Sequence, residues 1–159
     1  TVLEKIGKEI GADVPFFFFF STQIGEGIGE KLSDIKYTID GSFLIITPDI
    51  SIDTEWAYSQ TKNVLDKVAS STKFSDLFCG KTISLDTLKF FENDCESVVF
   101  PTYPEIGAIK SELIALGAKF ASLSGSGSTV YGILDDDANI DKAFSHFFPR
   151  HKTFIAHPV

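Results

Sequence analysis

Residues 122–134, SLSGSGSTVYGIL, combine residue types that can do chemistry with a spacing that suits it. Gly125 and Gly127 allow positive φ and let another group come close to the backbone. Successive N–H groups around Ser126 would then form a nest for an anion. The stretch has no P-loop lysine, and a strand rather than a helix follows it, so the Walker and dinucleotide readings fail on context. A plain hairpin loop is the competing account of the same residues.

Asp13, in GADVPFFFFF, is a second candidate. A carboxylate between a helix stop and an apolar segment has a fixed direction at the rim of an apolar wall. That suits orientation of a hydroxyl for attack on phosphorus, although helix–strand junctions attract turn aspartates in any fold. The stretch IGEGIGEKL, which contains Ile28, either cradles a ligand by its backbone or makes a turn or bulge. Tyr58, early in a helix, can stack on a planar ring or simply pack. FENDCE, residues 91–96, puts Asn93 and Asp94 on an amphipathic helix, where such residues usually face water. Asp135–Asp137 reads as a solvated helix start favoured by the helix dipole, with no further ligands to make a metal site.

The elements that must position these residues follow from periodicity. Val2, Leu3, Ile6 and Ile10 have helical spacing, and Gly11 ends that helix. Val14–Phe20 reads as a strand buried on both faces, since Phe favours strands and Pro15 suits a strand's first positions. Ser42–Thr47 is a further strand. Asp53 or Thr54 caps a helix that includes Ala57 and Val64. A helix from about Leu85 carries Leu88, Phe91, Cys95 and Val98 on one face. Pro104 opens another, with Ile106, Ile109, Leu113 and Leu116 inward and a stop at Gly117. Strands are expected at Lys119–Leu123 and Thr129–Leu134. Asp137 caps a helix with Ile140, Ala143, Phe144 and Phe147 inward, and KTFIAHPV closes the sheet. The expected class is α+β: a ferredoxin-like antiparallel sheet from residue 42 onward with helices on one face.

Composition narrows the function. The chain has 159 residues, 43% apolar and 23% charged, with a net charge of −8. Nucleic-acid binding needs clustered Lys and Arg, which this balance opposes. The longest apolar run, Val14–Phe20, is far short of the ~20 residues that cross a bilayer as a helix. Cys79 and Cys95 form no Cys-x-x-Cys pair, and His146, His151 and His157 lack zinc-ligand spacing. Reduced thiols in a core are expected. The chain contains no Met, and TVLEKIGKEIGA reads as a helix entered midway, so further sequence is expected upstream.

Taken together, IGADVPFF, GEGIGEKL, FENDCE and SLSGSGSTVYGIL, in this order, resemble the 4-diphosphocytidyl-2-C-methyl-D-erythritol kinases. These belong to the superfamily of galactokinase, homoserine kinase, mevalonate kinase and phosphomevalonate kinase. The resemblance covers essentially the whole chain. It implies an ATP-dependent kinase of a small alcohol in non-mevalonate isoprenoid synthesis. It implies Asp13 as the catalytic carboxylate, Tyr58 stacked on the substrate's cytosine, Ile28 as an apolar substrate contact, and Gly125, Ser126 and Gly127 as support for the phosphate site. Residues 1–41 would be the tail of an ATP-binding domain, with a leftover helix and strand, and 42–159 the superfamily's C-terminal domain. ATP and Mg²⁺ would be bound mainly by a glycine-rich loop and a lysine absent from this chain, in a missing N-terminal half that would be its partner. A cytoplasmic bacterial enzyme is expected, or a plastid one if a transit peptide precedes it. The chain alone would be inactive. Two alternatives stand beside this: a kinase for another alcohol of the superfamily, and a stand-alone ferredoxin-like binding or regulatory module.

Overall fold

The computed structural model describes residues 2–11, 14–18, 23–26, 31–34, 41–65, 88 and 93–158. The chain divides into two compact units, Thr1–Thr38 and Ile39–Val159.

In the first unit, helix α1 spans Val2–Ile10 and is followed by a 3₁₀ helix at Val14–Phe18. Strands β1 (Gln23–Glu26) and β2 (Lys31–Asp34) form an antiparallel pair in which Gly25 stands opposite Leu32. Gly25 is thus an ordinary ladder residue; the rest of the expected turn lies outside the described residues.

The phenylalanine run departs from the strand expected for it. Pro15 is buried, while Phe16, Phe17 and Phe18 are exposed. Proline has no N–H for a ladder and its fixed φ suits a helical first turn. The Phe18 ring lies so close to Gly7 of α1 that a Cβ there would be 2.7 Å from it, and Phe16 meets Phe17 edge to face at 5.5 Å. Local contact to the preceding helix prevails over strand propensity, which is largely a statement about packing on a pleated surface. Phe19 and Phe20 lie outside the described residues.

The second unit holds a four-stranded sheet of β3 (Ser42–Thr47), β4 (Phe120–Leu123), β5 (Val130–Leu134) and β6 (Lys152–Ala156) in the order β4-β5-β3-β6. All three pairings are antiparallel. The strict alternation of burial along SFLIIT follows from the two-residue period of a strand. Leu44 and Ile46 point into the main core with Ala121, Leu123, Val130 and Leu134. Against them pack helices α3 (Glu96–Thr102), α4 (Pro104–Ala115) and α5 (Asp137–Phe147), through Val99, Ile106, Ile109, Leu113, Ile140, Ala143 and Phe147. Helix α2, Thr54–Leu65, contributes the buried Ala57. The order β3-helices-β4-β5-α5-β6 is the ferredoxin-like α+β plan.

Two boundaries shift. Asp136, not Asp137, caps α5, its carboxylate accepting the Ala138 N–H at 2.8 Å. The helix expected to run through Cys95 and Val98 is interrupted: Leu88 is helical, but Asn93–Cys95 form a turn from which α3 starts anew. Asn93 causes this, because its Oδ1 accepts the N–H of Cys95 at 2.9 Å. Asn and Asp side chains that bond the backbone two residues on favour turns over helix. Cys95 is a buried free thiol; Cys79 lies outside the described residues.

Candidate functional site

The SGSGS loop joins β4 to β5 at one end of the sheet. Its frame is a short hairpin: the Ser124 N–H donates to Thr129 O at 2.8 Å, and the Gly127 N–H to Ser124 O at 2.9 Å. Gly125 has φ +56° and Gly127 φ +91°, conformations that L side chains avoid. The two glycines differ in their surroundings. A Cβ on Gly125 would meet nothing within 4 Å, whereas one on Gly127 would stand 3.0 Å from both Ile52 Cδ1 and Leu123 Cδ1. Gly127 therefore allows close packing, and Gly125 leaves the loop's outer surface open. The N–H groups of Gly125 and Ser126 have no acceptor among the described residues. Unpaired successive amides of this kind make an anion-binding concavity.

Side chains from three elements hold the loop. Asn93 Nδ2 donates to Leu123 O and to Gly125 O, each at 2.8 Å. Glu96 Oε1 accepts from the Leu123 N–H and the Ser122 hydroxyl, each at 2.9 Å, and its Oε2 meets Lys110 Nζ at 2.5 Å. The Ser128 hydroxyl donates to Ile50 O at 2.6 Å, and the Thr129 hydroxyl pairs with that of Thr47 at 3.1 Å. Sequence reasoning sent Asn93 and Asp94 to solvent; Asp94 is exposed, but Asn93, together with Glu96, fastens the loop. The turn-forming Asn two residues before Cys95 was a legible local signal, but its second set of partners lies 30 residues away.

Ser126 Oγ lies 3.1 Å from Thr54 Oγ1 at the start of α2. Asp53 caps that helix, accepting the Trp56 N–H at 2.6 Å. Tyr58 follows Thr54 by four residues and so shares its helical face; the residue is 57% exposed. The helix that carries Tyr58 is thereby joined to the loop that carries Ser126. Asp13 and Ile28, the other two site residues expected from the sequence, lie outside the described residues.

Beneath the loop is a cleft of about 320 Å³ bounded by Asn93, Phe120, Ser122, Gly125 and Tyr131. Burial raises the pKa of the Tyr131 phenol, and the charge of Glu96 adds to the rise. A larger cleft of about 460 Å³ lies at the C-terminal end of β3, between Thr47–Asp49 and Phe148–Lys152. Its Arg150 is engaged by Glu112 at 2.8 Å, and desolvation lowers the pKa of His151, as does the nearby Arg150 charge.

Among the described residues no group of three His, Cys, Asp or Glu side chains converges to hold a metal ion. Asp136 is occupied as a helix cap, and Asp135 faces Lys119 Nζ at 3.6 Å. No described helix is long and apolar enough to cross a membrane.

A family model described as "GHMP kinases C terminal" matches residues 82–151, which include Asn93, Glu96 and the whole glycine loop. The 4-diphosphocytidyl-2-C-methyl-D-erythritol kinase of Chloroherpeton thalassium is 33% identical over 154 residues, covering 96% of this chain and 54% of the relative. The like-named kinase of Thermodesulfovibrio yellowstonii is 36% identical over 153 residues, covering 91% and 52%. The chain belongs to the GHMP kinase family.

The GHMP kinase fold is also seen directly. A crystal structure of 4-(cytidine 5'-diphospho)-2C-methyl-D-erythritol kinase superposes with a TM-score of 0.76 at 19% identity, over 97% of this chain and 56% of that one. At that identity the likeness speaks for the fold. The chain spans about half the length of the curated relatives it matches.

Proposed function

We propose that this GHMP kinase chain is part of an enzyme that uses ATP to phosphorylate the 2-hydroxyl of 4-diphosphocytidyl-2-C-methyl-D-erythritol. The observation that carries the reading is the SGSGS loop: two positive-φ glycines and amides at Gly125 and Ser126 with no acceptor among the described residues, braced by Asn93 and Glu96. The names of the relatives supply the substrate.

In this reading Asp13 orients the attacking hydroxyl and accepts its proton. Phosphoryl transfer asks little covalent chemistry of the protein, so a well-aimed carboxylate and fixed dipoles do most of the work. The Tyr58 ring stacks on cytosine, Ile28 touches the substrate, and Gly125, Ser126 and Gly127 support the phosphate site. When bound, ATP supplies the transferred phosphoryl group. The chain spans about half the length of these relatives, which supports assigning Mg²⁺ and most of the nucleotide contacts to sequence outside this chain. Residues 1–41 would close an ATP-binding domain and 42–159 form the C-terminal one, with the rest of that first domain as the chain's partner. The site of action would be the bacterial cytoplasm, or a plastid where a transit peptide precedes the enzyme.

The test is phosphate transfer from ATP by the protein that carries this chain, with the diphosphocytidyl alcohol, homoserine and mevalonate offered in turn. Preference for the first supports the proposal; preference for either other alcohol replaces the substrate, and no transfer to any removes the kinase reading. The 159-residue chain by itself should show no transfer.

A further inference from the structure

We propose that Asn93 is the positioning residue of the glycine loop: its side-chain amide sets the direction in which the Gly125–Ser126 peptide presents its N–H to a phosphate group. The inference deepens the kinase reading and rests on it for the identity of the anion.

The hydrogen-bonding capacity of Asn93 is spent in a specific way. A carboxamide has two N–H hydrogens and one carbonyl oxygen. The two hydrogens go to Leu123 O and Gly125 O, both at 2.8 Å, and the oxygen takes the Cys95 N–H at 2.9 Å. The side chain is thus anchored on its own turn and reaches across to two carbonyls that flank the start of the loop.

Those two carbonyls determine where the loop's amides point. The Leu123–Ser124 and Gly125–Ser126 peptides are trans, so in each the C=O and N–H point in opposite directions. The first peptide shows the consequence: Leu123 O faces Asn93, and the Ser124 N–H turns away to Thr129 O at 2.8 Å. In the second, Gly125 O faces Asn93 and the Ser126 N–H turns away from it, with no acceptor among the described residues. The peptide between them behaves likewise, since Ser124 O takes the Gly127 N–H and the Gly125 N–H is left without an acceptor among the described residues. At Gly125, where φ is +56° and no neighbour confines the residue, the backbone has little else to fix it. The Gly127 N–H to Ser124 O bond and the Ser126 to Thr54 hydroxyl contact hold the ends of this segment, but without the Asn93 amide nothing fixes the direction of the Gly125 carbonyl itself.

Asn93→Asp separates this role from that of a turn former. A carboxylate keeps an acceptor for the Cys95 N–H, but it has no hydrogens for Leu123 O and Gly125 O and repels both. Asn93→Ser is the second variant: its hydroxyl keeps the acceptor and donates to one carbonyl at most.

The test titrates inorganic pyrophosphate into the ¹⁵N-labelled protein and follows the Gly125 and Ser126 amide resonances. In the wild type both should shift saturably. Loss of the two donated bonds should weaken pyrophosphate roughly tenfold in Asn93→Asp, and less in Asn93→Ser, with the Cys95 amide unchanged and a lower thermal midpoint but an intact cooperative fold. In the kinase assay Asn93→Asp should raise KM for ATP or lower kcat while KM for the alcohol stays constant. Pyrophosphate affinity equal to wild type in both folded variants, or wild-type amides that ignore pyrophosphate, overturns the proposal. If the wild type binds pyrophosphate at these amides but transfers no phosphate, the kinase reading falls and the titration alone decides the role of Asn93.

Discussion

Glu96 Oε1 accepts the backbone N–H of Leu123 at 2.9 Å, taking the position that a neighbouring strand's carbonyl would occupy. β4 is an edge strand, and edge strands present unpaired N–H and C=O groups that proteins must cover. Asn93 completes the cover by donating to Leu123 O. Two side chains three residues apart thus satisfy both outward groups of one residue and tie α3 to the sheet just where the glycine loop begins.

Glu96→Ala should lower stability by ~1–3 kcal/mol, because it leaves the Leu123 N–H and the Ser122 hydroxyl of the edge strand without their shared acceptor. Lys110, at 32% side-chain exposure, can turn to water and adds little. Glu96→Gln keeps an acceptor oxygen and should lose less. Urea unfolding of the three proteins checks the ranking; equal midpoints for Ala and wild type would contradict it.

Gly125→Ala and Gly127→Ala should separate backbone strain from crowding. Both place an L residue at positive φ, at ~1–2 kcal/mol. Only at Gly127 does the new methyl also press on Ile52 and Leu123 at 3.0 Å, a further ~1–3 kcal/mol of overpacking. Thermal or urea unfolding should therefore rank Gly127→Ala well below Gly125→Ala. The same stability for both would mean that Ile52 and Leu123 move aside freely.

Much of the second unit was legible because its signals are local and periodic. SFLIIT alternates, Ile106, Ile109 and Leu113 keep helical spacing, and Gly117 at φ +102° ends α4 where a left-handed residue is needed. The phenylalanine run misled because hydrophobicity says that a segment wants cover, not which shape will cover it; Pro15 and the gap over Gly7 decide that. Asn93 misled, and Glu96 went unnoticed, for another reason. Polar residues near a helix start carry a local reading, whereas their role here is defined by β4, reached through the intervening helices. Capping showed the same limit at finer scale: Asp136 and Asp137 are chemically identical, and the turn geometry selects the first.

Acid should loosen the contact between α4 and α5 through Glu112. Hydrogen bonds from Arg150, and then His146, hold the Glu112 carboxyl below its ordinary value of 4.5. A lowered folded pKa means that the stabilisation is complete above 4.5 and is lost as pH falls through the lower folded value. Glu112→Gln should flatten this acid limb and leave neutral stability nearly unchanged, since exposed pairs contribute little. Thermal midpoints measured against pH below 4.5 test it, and an acid limb as steep in Glu112→Gln as in wild type would assign the loss to other carboxylates.

Asp13→Asn, in the protein that carries this chain, should reduce kcat by ~10²–10⁴-fold, the usual contribution of a general base. Asn keeps the shape but loses the charge and the proton-accepting oxygen. KM for both substrates should change far less. A near-normal kcat would return Asp13 to the role of a turn residue.

Tyr58→Ala should weaken the diphosphocytidyl substrate while leaving the fold intact, and the combination is what makes it diagnostic. Tyr58 is 57% exposed on α2, so its removal opens no cavity, and surface changes of this kind usually stay within ~0.5 kcal/mol of wild type. Its helix is joined to the loop through Thr54 and Ser126. A base stacked on an aromatic ring contributes ~1–3 kcal/mol in nucleic-acid binders, so Tyr58→Ala should raise the substrate Kd by roughly ten- to a hundredfold. Stacking needs the ring and not the hydroxyl, so Tyr58→Phe should bind as wild type does. Calorimetric titration of the three proteins, with unfolding midpoints measured in parallel, separates the outcomes. Unchanged affinity in Tyr58→Ala removes the residue from the site, and a large fall in stability would make it a packing residue of α2 instead.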